Sequence, residues 1–437
     1  MDICSRGVRG LLVAGSLLGA APARAQLPKL TLAEAIERAN RVQPTVVSAF
    51  GTVRNAQARQ RSATGAFIPN FSLNSGLGRT YSEGPQRVDP NTGQVISGNS
   101  TNQSLTNSIS SNVDLFTGFR RGSERKAANA NRTAAEASLV NTRNTVQLNT
   151  TNAFFDVLAA AQLVGVREAS VRRAEEQLKV SVALLHAGKG IRPDSLRGVV
   201  TLGTAQLNLL NAQTALATAQ ANLGRLVGEA GPVDAVDDSS LYAIMPAVDT
   251  AKLRQEAVAQ APSVLSADAT AASARAAIGS AKAAYFPTLN LSGTMSLNAS
   301  RANSYDFLQG RQFNLGLSWP IFNRFQREQS IVAAQVTTEN AEATAADARR
   351  LVVASLTADL ASLEAARLRI DITRTSVVAA TEDLRVQQER YRLGASTIVD
   401  VLTSQEALNQ AEVDAVTARF DYVRARAAIA ALIGRPL

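Results

Sequence analysis

Few side chains in this sequence can make or break bonds. Of 437 residues one is a cysteine and one a histidine. Cys4 stands ahead of an apolar run from Leu11 to about Ala21, and His186 has no second histidine to work with. Nucleophile–base dyads and His/Cys metal sites need more than this inventory. No catalytic residue, metal or cofactor is therefore expected, and His186 reads as an exposed polar side chain. What remains is carboxylate chemistry, and one carboxylate stands out. In RYRLGASTIVDVLTSQEAL (390–408), Asp400 follows Gly394 inside an otherwise uncharged run. Such a residue either caps a helix after a turn or is placed for another task. Which applies depends on the elements that hold it.

The N-terminus reads as a leader. Arg6 and Arg9 precede the apolar run, and Ala23-Arg24-Ala25 ends it. A charged segment, a short apolar segment and an A-x-A site predict a secretory signal peptide over 1–25, cut before Gln26. The run is too short for a membrane-spanning helix. The formal charge is +9, but acids and bases are interspersed and aromatics make up 5%, so no nucleic-acid partner is expected.

The rest of the chain is written twice. QPTVVSA (43–49) recurs as APSVLSA (261–267), and AFIPNFSL (66–73) recurs as AYFPTLNL (284–291), both 218 residues on. DLFTGFRR (114–121) then matches PIFNRFQR (320–327) at 206, and that spacing holds to the end. Gly188 matches Gly394, Asp194 matches Asp400, and Leu226-Val227-Gly228 matches Leu432-Ile433-Gly434. The change of spacing falls on a polar, Gly/Pro/Asn-rich loop, 81–103 against 299–310, longer in the first copy. The organisation expected is a first repeat over 26–228, a linker or small equatorial segment over 229–249, and a second repeat over 250–437. Each repeat predicts one helix (31–64; 250–283), a strand (69–80; 287–298), a loop, a second strand (104–116; 311–322), and then a long helical hairpin.

The strands alternate with period two: Phe71, Leu73 and Leu77 against Asn70, Ser72 and Asn74, and Phe313, Leu315, Leu317 and Trp319 in the second copy. Each is about 10 residues, the length that crosses a bilayer when tilted. Aromatic residues gather at the inner ends (Phe67, Phe116, Phe119, Tyr285, Phe286, Trp319, Phe322, Phe325) like an interfacial girdle. Four strands cannot close a barrel, and open edges are not tolerated in lipid, so a membrane location requires several chains to share one barrel. In the helices, Leu356, Leu363, Ile370, Val377, Leu384 and Tyr391 fall at seven-residue intervals, as do Val157, Val164, Val171, Leu178 and Leu185. This narrow seam predicts a left-handed coiled coil packed edge to edge in a wall. Stretches 122–185 and 328–391 contain no proline. Each would make a rod of roughly 95 Å, turned at Gly188 or Gly394.

In the order and duplication of these motifs, each copy closing in a hairpin of the RYRLG…IVDVL type, the chain resembles the TolC family of outer-membrane channel proteins over 27–437. The resemblance implies an α+β membrane protein. A homotrimer would share one transmembrane β-barrel, four strands per chain, continued by a long α-helical coiled-coil barrel across the periplasm. It implies contact with outer-membrane lipid, and partners in a periplasmic adaptor and an inner-membrane transporter. The job would be the exit duct of a tripartite efflux or type I secretion system, with no chemistry of its own. It places a channel gate at the hairpin tips: Tyr391, the inner carboxylate Asp400, and Asp194 as the acid that the tyrosine bonds. Thr403 stands where a second acid is expected, leaving one carboxylate per chain. Ser396 stands where an arginine is expected. A ring of three Asp400 side chains would attract cations and raise one another's pKa. The turns Gly188, Lys189, Gly190 and Gly394, Ala395, Ser396 become the adaptor-contacting tips. An exported structural or adhesive coiled-coil protein is the other reading.

Overall fold

The computed structural model describes residues 27–435, apart from 97, 99, 243–249 and 301–306. The expected leader, the end of the expected linker and the middle of the second copy's loop lie outside the described residues. In chain order the elements are β1 (Lys29–Leu30), α1 (Leu32–Val42), α2 (Pro44–Gly65), β2 (Asn70–Ser82), β3 (Arg87–Val88), β4 (Val95–Ile96), β5 (Ser100–Thr117), α3 (Arg120–His186) and α4 (Arg192–Val227). There follow β6 (Asp234–Ala235), a 3₁₀ turn (Ser239–Tyr242), α5 (Thr250–Gln260), α6 (Pro262–Lys282), β7 (Thr288–Ser300), β8 (Phe307–Ser318), α7 (Gln326–Arg392) and α8 (Ile398–Ile433).

Each helix expected at the head of a repeat is two. α1 starts in a capping box, Thr31 N–H donating to Glu34 Oε2 at 3.0 Å and Glu34 N–H donating back to Thr31 Oγ1 at 3.4 Å. It stops because Pro44 forces Gln43 out of the helical region (ψ 124°), and Pro44 then opens α2. Ala261 (ψ 127°) and Pro262 repeat the break between α5 and α6.

β2, β5, β7 and β8 form one antiparallel sheet in the order β2-β5-β7-β8. The expected second strand of the second copy is displaced. β8 begins at Phe307 and ends at Ser318, because Pro320 offers no donor to a ladder. Trp319 leaves the strand and donates its Nε1–H to Tyr285 O at 3.1 Å. A bulge between Asp114 and Phe116 leaves Leu115 outside the pairing. Part of the longer loop is ordered too, β3 pairing with β4 around Gly93. The register puts Phe71, Leu73, Leu77, Leu105, Ile109, Val113, Leu291, Met295, Leu297, Phe313, Leu315 and Leu317 on one face. Ser, Asn, Thr and Gly fill the other for most of its length. The apolar face is bare: Phe71 is 76% exposed and Phe313 83%.

Both rods are continuous, 67 residues each, or about 100 Å. α4 and α8 return for 36 residues each and end at Gly228 and Gly434. The sheet meets the rods through a joint made twice. Arg121 donates to Ala66 O (3.1 Å) and Leu115 O (3.3 Å) and lies 4.8 Å from the Phe67 ring. Arg327 donates to Pro320 O (3.0 Å) and Ile321 O (2.9 Å) and lies 4.7 Å from the Tyr285 ring. The residues opening the rods, Phe119 and Phe325, both take positive φ, 68° and 62°.

The helices pack side by side in a single layer, α2-α3-α6-α7 near the sheet and α4-α3-α8-α7 toward the tips. α7 is thus one lateral edge throughout, and α2 then α4 the other. The core is thickest at mid-rod. There the parallel pair β1–β6 and the 3₁₀ turn cover the buried Phe154, Phe155 and Phe420. Arg419 stacks 3.6 Å from the Tyr242 ring, and Tyr242 Oη donates to Asp237 at 2.7 Å. Among the described residues no helix is long and apolar enough to cross a membrane.

Phe420 is fully buried and touches both Phe155 and Tyr242. Phe420→Ala should therefore cost about 3–5 kcal/mol, as large core truncations do. Thermal melting followed by helical circular dichroism should show a lower midpoint. An unchanged midpoint would mean that the mid-rod cluster does not hold the wall together.

Candidate functional site

The two hairpin tips are built alike up to one residue. Gly188 and Gly394 take φ of 69° and 77°, so a side chain there would strain the turn. Gly394 N–H donates to Tyr391 O (3.0 Å) and Ala395 N–H to Arg390 O (2.7 Å). In the first copy Gly188 N–H donates to Leu185 O (3.0 Å), and Lys189 and Gly190 both donate to Leu184 O (2.9 and 3.0 Å). Gly188 and Lys189 are exposed, as are Gly394 and Ala395, while Gly190 and Ser396 are half-buried. The turns flank one open groove of about 860 Å³, lined by residues of both copies including Lys189, Asp194, Tyr391 and Ser396.

The copies diverge at the residue before each return helix. Thr397 precedes α8; its first-copy counterpart is Ile191. Thr397 forms a capping box with Asp400. Its N–H and hydroxyl donate to Asp400 Oδ2 (2.9 and 2.7 Å), and Asp400 N–H donates to Thr397 Oγ1 (3.3 Å). The Ser396 hydroxyl lies 3.0 Å from the same oxygen. Hydrogen bonds from the Thr397 backbone, the Thr397 hydroxyl and Ser396, in that order, hold the Asp400 carboxyl below its usual pKa. Within one chain Asp400 is thus a helix cap in a lowered-pKa setting. Ile191 has no hydroxyl to offer, so the Asp194 carboxylate is left for another partner. It accepts from Tyr391 Oη at 3.3 Å, with Arg197 at 3.9 Å.

Tyr391 and Asp194 are therefore brought together, and Asp400 and Thr403 are not part of that contact. Thr403 donates to the Val399 carbonyl of its own helix at 2.9 Å. Tyr391 is 6% exposed and also lies 3.4 Å from Ser181 Oγ. Burial raises its hydroxyl pKa, and the Asp194 charge adds to the rise, so the phenol stays protonated and donates at neutral pH. Beneath this contact Leu384, Ile398, Val401 and Leu408 pack with Val180 and Leu184.

One link at this end escapes the sequence. Arg173 of α3 donates to both oxygens of Glu412 on α8 (3.1 and 2.7 Å) and to Asn409 Oδ1 (2.7 Å), tying the two hairpins together about four turns from the tips. Its signal is a break in the repeat: Ala379 stands at the counterpart of Arg173, and Gln206 at that of Glu412. Among the described residues no group of three His, Cys, Asp or Glu side chains could hold a metal.

A family model described as "Outer membrane efflux protein" matches residues 35–229 and 253–435. The chain belongs to this family. It is 26% identical over 404 residues to the pyoverdine export outer membrane protein OpmQ of Pseudomonas aeruginosa, covering 89% of this chain and 81% of that one. To the cobalt-zinc-cadmium resistance protein CzcC of Cupriavidus metallidurans it is 26% identical over 314 residues, 70% of this chain and 72% of that one. Outer membrane protein TolC of Escherichia coli is 24% identical over 293 residues, 64% of this chain and 59% of that one. The solved structure of CusC superposes with a TM-score of 0.80 at 18% identity, covering 96% of each chain. The outer membrane protein VceC of Vibrio cholerae does so at 0.76 and 18%, covering 93% of this chain and 96% of that one. These structures share the fold. The family consists of channel proteins, and membership places the chain in the outer membrane, extending into the periplasm.

Tyr391→Phe keeps the ring and removes the hydroxyl. The Tyr391–Asp194 link should be lost, and amide exchange around 181–194 should quicken while the rest of the rods stays protected. Unchanged exchange would show that the hydroxyl carries no tension between the hairpins. The cap at Asp400 has a definite pH sign. Its folded pKa is depressed, so its contribution is complete above the unfolded value near 3.9 and is lost as pH falls through the folded one. Exchange at the start of α8, corrected for its intrinsic pH dependence, should therefore show no loss of protection between pH 7 and about 4.5. Fraying already at pH 6 would contradict a lowered pKa.

Proposed function

We propose that this family member is the exit duct of a tripartite efflux or type I secretion system, three copies forming one channel from the periplasm to the outside. One observation carries the reading. The sheet has two open edges, β2 and β8, and a bare apolar face, an arrangement that lipid tolerates only if further strands close it. With four strands per chain, three copies give a barrel of twelve.

The helical layer has matching open edges. On α4, Leu196, Val200, Leu207 and Leu210 are exposed at coiled-coil spacing. On α7, Leu368, Ile372 and Val386 are exposed along one stripe, continued by Leu393 just past its end. The α7 edge of one copy against the α4 edge of the next would close the wall in step with the barrel. In this reading 26–228 and 250–437 are the two repeats left after removal of 1–25, with 229–249 as part of an equatorial belt.

The tips Gly188, Lys189, Gly190, Gly394, Ala395 and Ser396 would meet a periplasmic adaptor, which couples the duct to an inner-membrane transporter. Substrates would pass through without modification by this chain. Tyr391 and Asp194 would hold the tip closed. Asp400 would face the axis as a ring of one carboxylate per chain, with Thr403 in the place of a second. Relatives named for pyoverdine export and for cobalt-zinc-cadmium resistance support export of small solutes.

Protein extracted from outer membranes in detergent should be a trimer and should conduct in planar bilayers. A soluble monomer, or a trimer without conductance, overturns the duct. In the trimer, Asp400→Ala should raise conductance or weaken block by divalent cations. No change in either leaves Asp400 as a helix cap alone.

A further inference from the structure

The strands of the sheet carry three charged residues among those described: Arg79 on β2, Asp114 on β5 and Arg311 on β8. Two lie on the unexpected face. Asp114 pairs with Asn290 on the polar face, at the end near the rods. Arg79 lies two residues from Leu77, opposite Gln103, on the apolar face. Arg311 lies opposite Met295, which lies opposite Ile109, which lies opposite Leu73, so it shares that face. Both arginines are exposed, and among the described residues neither forms an ion pair. A barrel strand normally keeps cations off its lipid face, where they are costly at mid-depth and nearly free at the interface.

Arg79 stands near the outer rim, where a cation is tolerated, whereas Arg311 stands a few ångströms beyond mid-depth, where a cation needs an anionic partner. Arg79 is eight residues beyond Phe71, and Arg311 is six residues before Leu317. At about 3.4 Å per residue and a tilt near 40°, they stand roughly 21 and 16 Å from the apolar residues nearest the rods, within an apolar band about 25 Å tall. The long side chains can carry both guanidiniums outward, that of Arg79 to the headgroup level and that of Arg311 toward it. Exposed Tyr81 and Phe307, on the same face, mark that level. β2 and β8 are also the two edges of the sheet. Closure sets β8 of one copy beside β2 of the next, bringing Arg311 and the neighbouring copy's Arg79 onto adjacent strands. Two cations at one lipid-facing seam repel each other unless an anion lies between them.

We propose that Arg311 of one copy and Arg79 of the next bind the phosphate headgroup of an anionic lipid in the outer leaflet, one lipid at each seam. The planar guanidiniums suit bidentate bonds to phosphate oxygens, and the flanking Phe313 and Leu77 would hold the acyl chains. The inference rests on the shared barrel, so the test begins with trimer mass and conductance. Loss of either overturns the barrel rather than the lipid site.

On a conducting trimer, native mass spectrometry should show preferential retention of diphosphorylated lipid A or dioleoylphosphatidylglycerol over dioleoylphosphatidylcholine, up to three molecules per trimer. R79Q and R311Q should each weaken that retention about fivefold, and R79K and R311K should keep most of it. Equal retention of charged and zwitterionic lipids by the wild-type trimer overturns the site, even if the double variant does not assemble. Unchanged retention in an assembled R79Q/R311Q trimer overturns it equally. Inorganic phosphate alone should not raise the melting temperature of the trimer; if it does, the seam binds free anions and not a lipid.

Discussion

Backbone amides that enter lipid must find partners, and the four-stranded sheet leaves the outward groups of β2 and β8 without them. Much of the architecture can be understood from that shortage. A sheet with a bare apolar face and two unpaired edges has no stable monomeric home in a bilayer. The helical layer below it is open in the same two directions, so the requirement imposed at the membrane continues down the rods. Sheet and helices are tied into one piece by the Arg121 and Arg327 joints, so closure at one level favours closure at the other.

Much of this was legible in the sequence because repetition and periodicity are local signals. The proline-free stretches marked both rods to within two residues of each end, the seven-residue seam marked their packed face, and the turn glycines marked the hairpins where positive φ was needed. Four features were missed for physical reasons. The helix breaks before Pro44 and Pro262 were written in the repeated QP and AP pairs, but the apolar pattern ran straight through them. The bulge at Leu115 depends on β7, which is distant in sequence. The end of β8 followed from Pro320, which the alternation through Trp319 concealed. The Arg173–Glu412 pair spans 239 residues, and only the packing of α3 against α8 brings it together.

At the tips the sequence shows which positions are equivalent but not what each side chain contacts. Asp194 and Asp400 occupy equivalent positions, and the resemblance paired Tyr391 with Asp194. The structure supplies the reason the twins differ. Thr397 turns Asp400 inward to its own helix start, whereas Ile191 leaves Asp194 free to reach across to α7. A single hydroxyl, present in one repeat and replaced by an alkyl side chain in the other, separates a local role from a bridging one. Because capping and bridging draw on the same carboxylate, the identity of the preceding residue decides which of the two an acid at this position can do.

The equal rods carry a further consequence. α3 and α7 start from the same arginine joint and run for the same 67 residues, and their return helices have the same length. The wall therefore works as a gauge read twice. If one rod gained a heptad alone, its tip would overhang its twin by about 10 Å, and the cross-links Tyr391–Asp194 and Arg173–Glu412 would be out of step. Changes in the span of this protein should arise in pairs, matched between the halves, so its reach is inherited as a property of the duplication rather than of either copy.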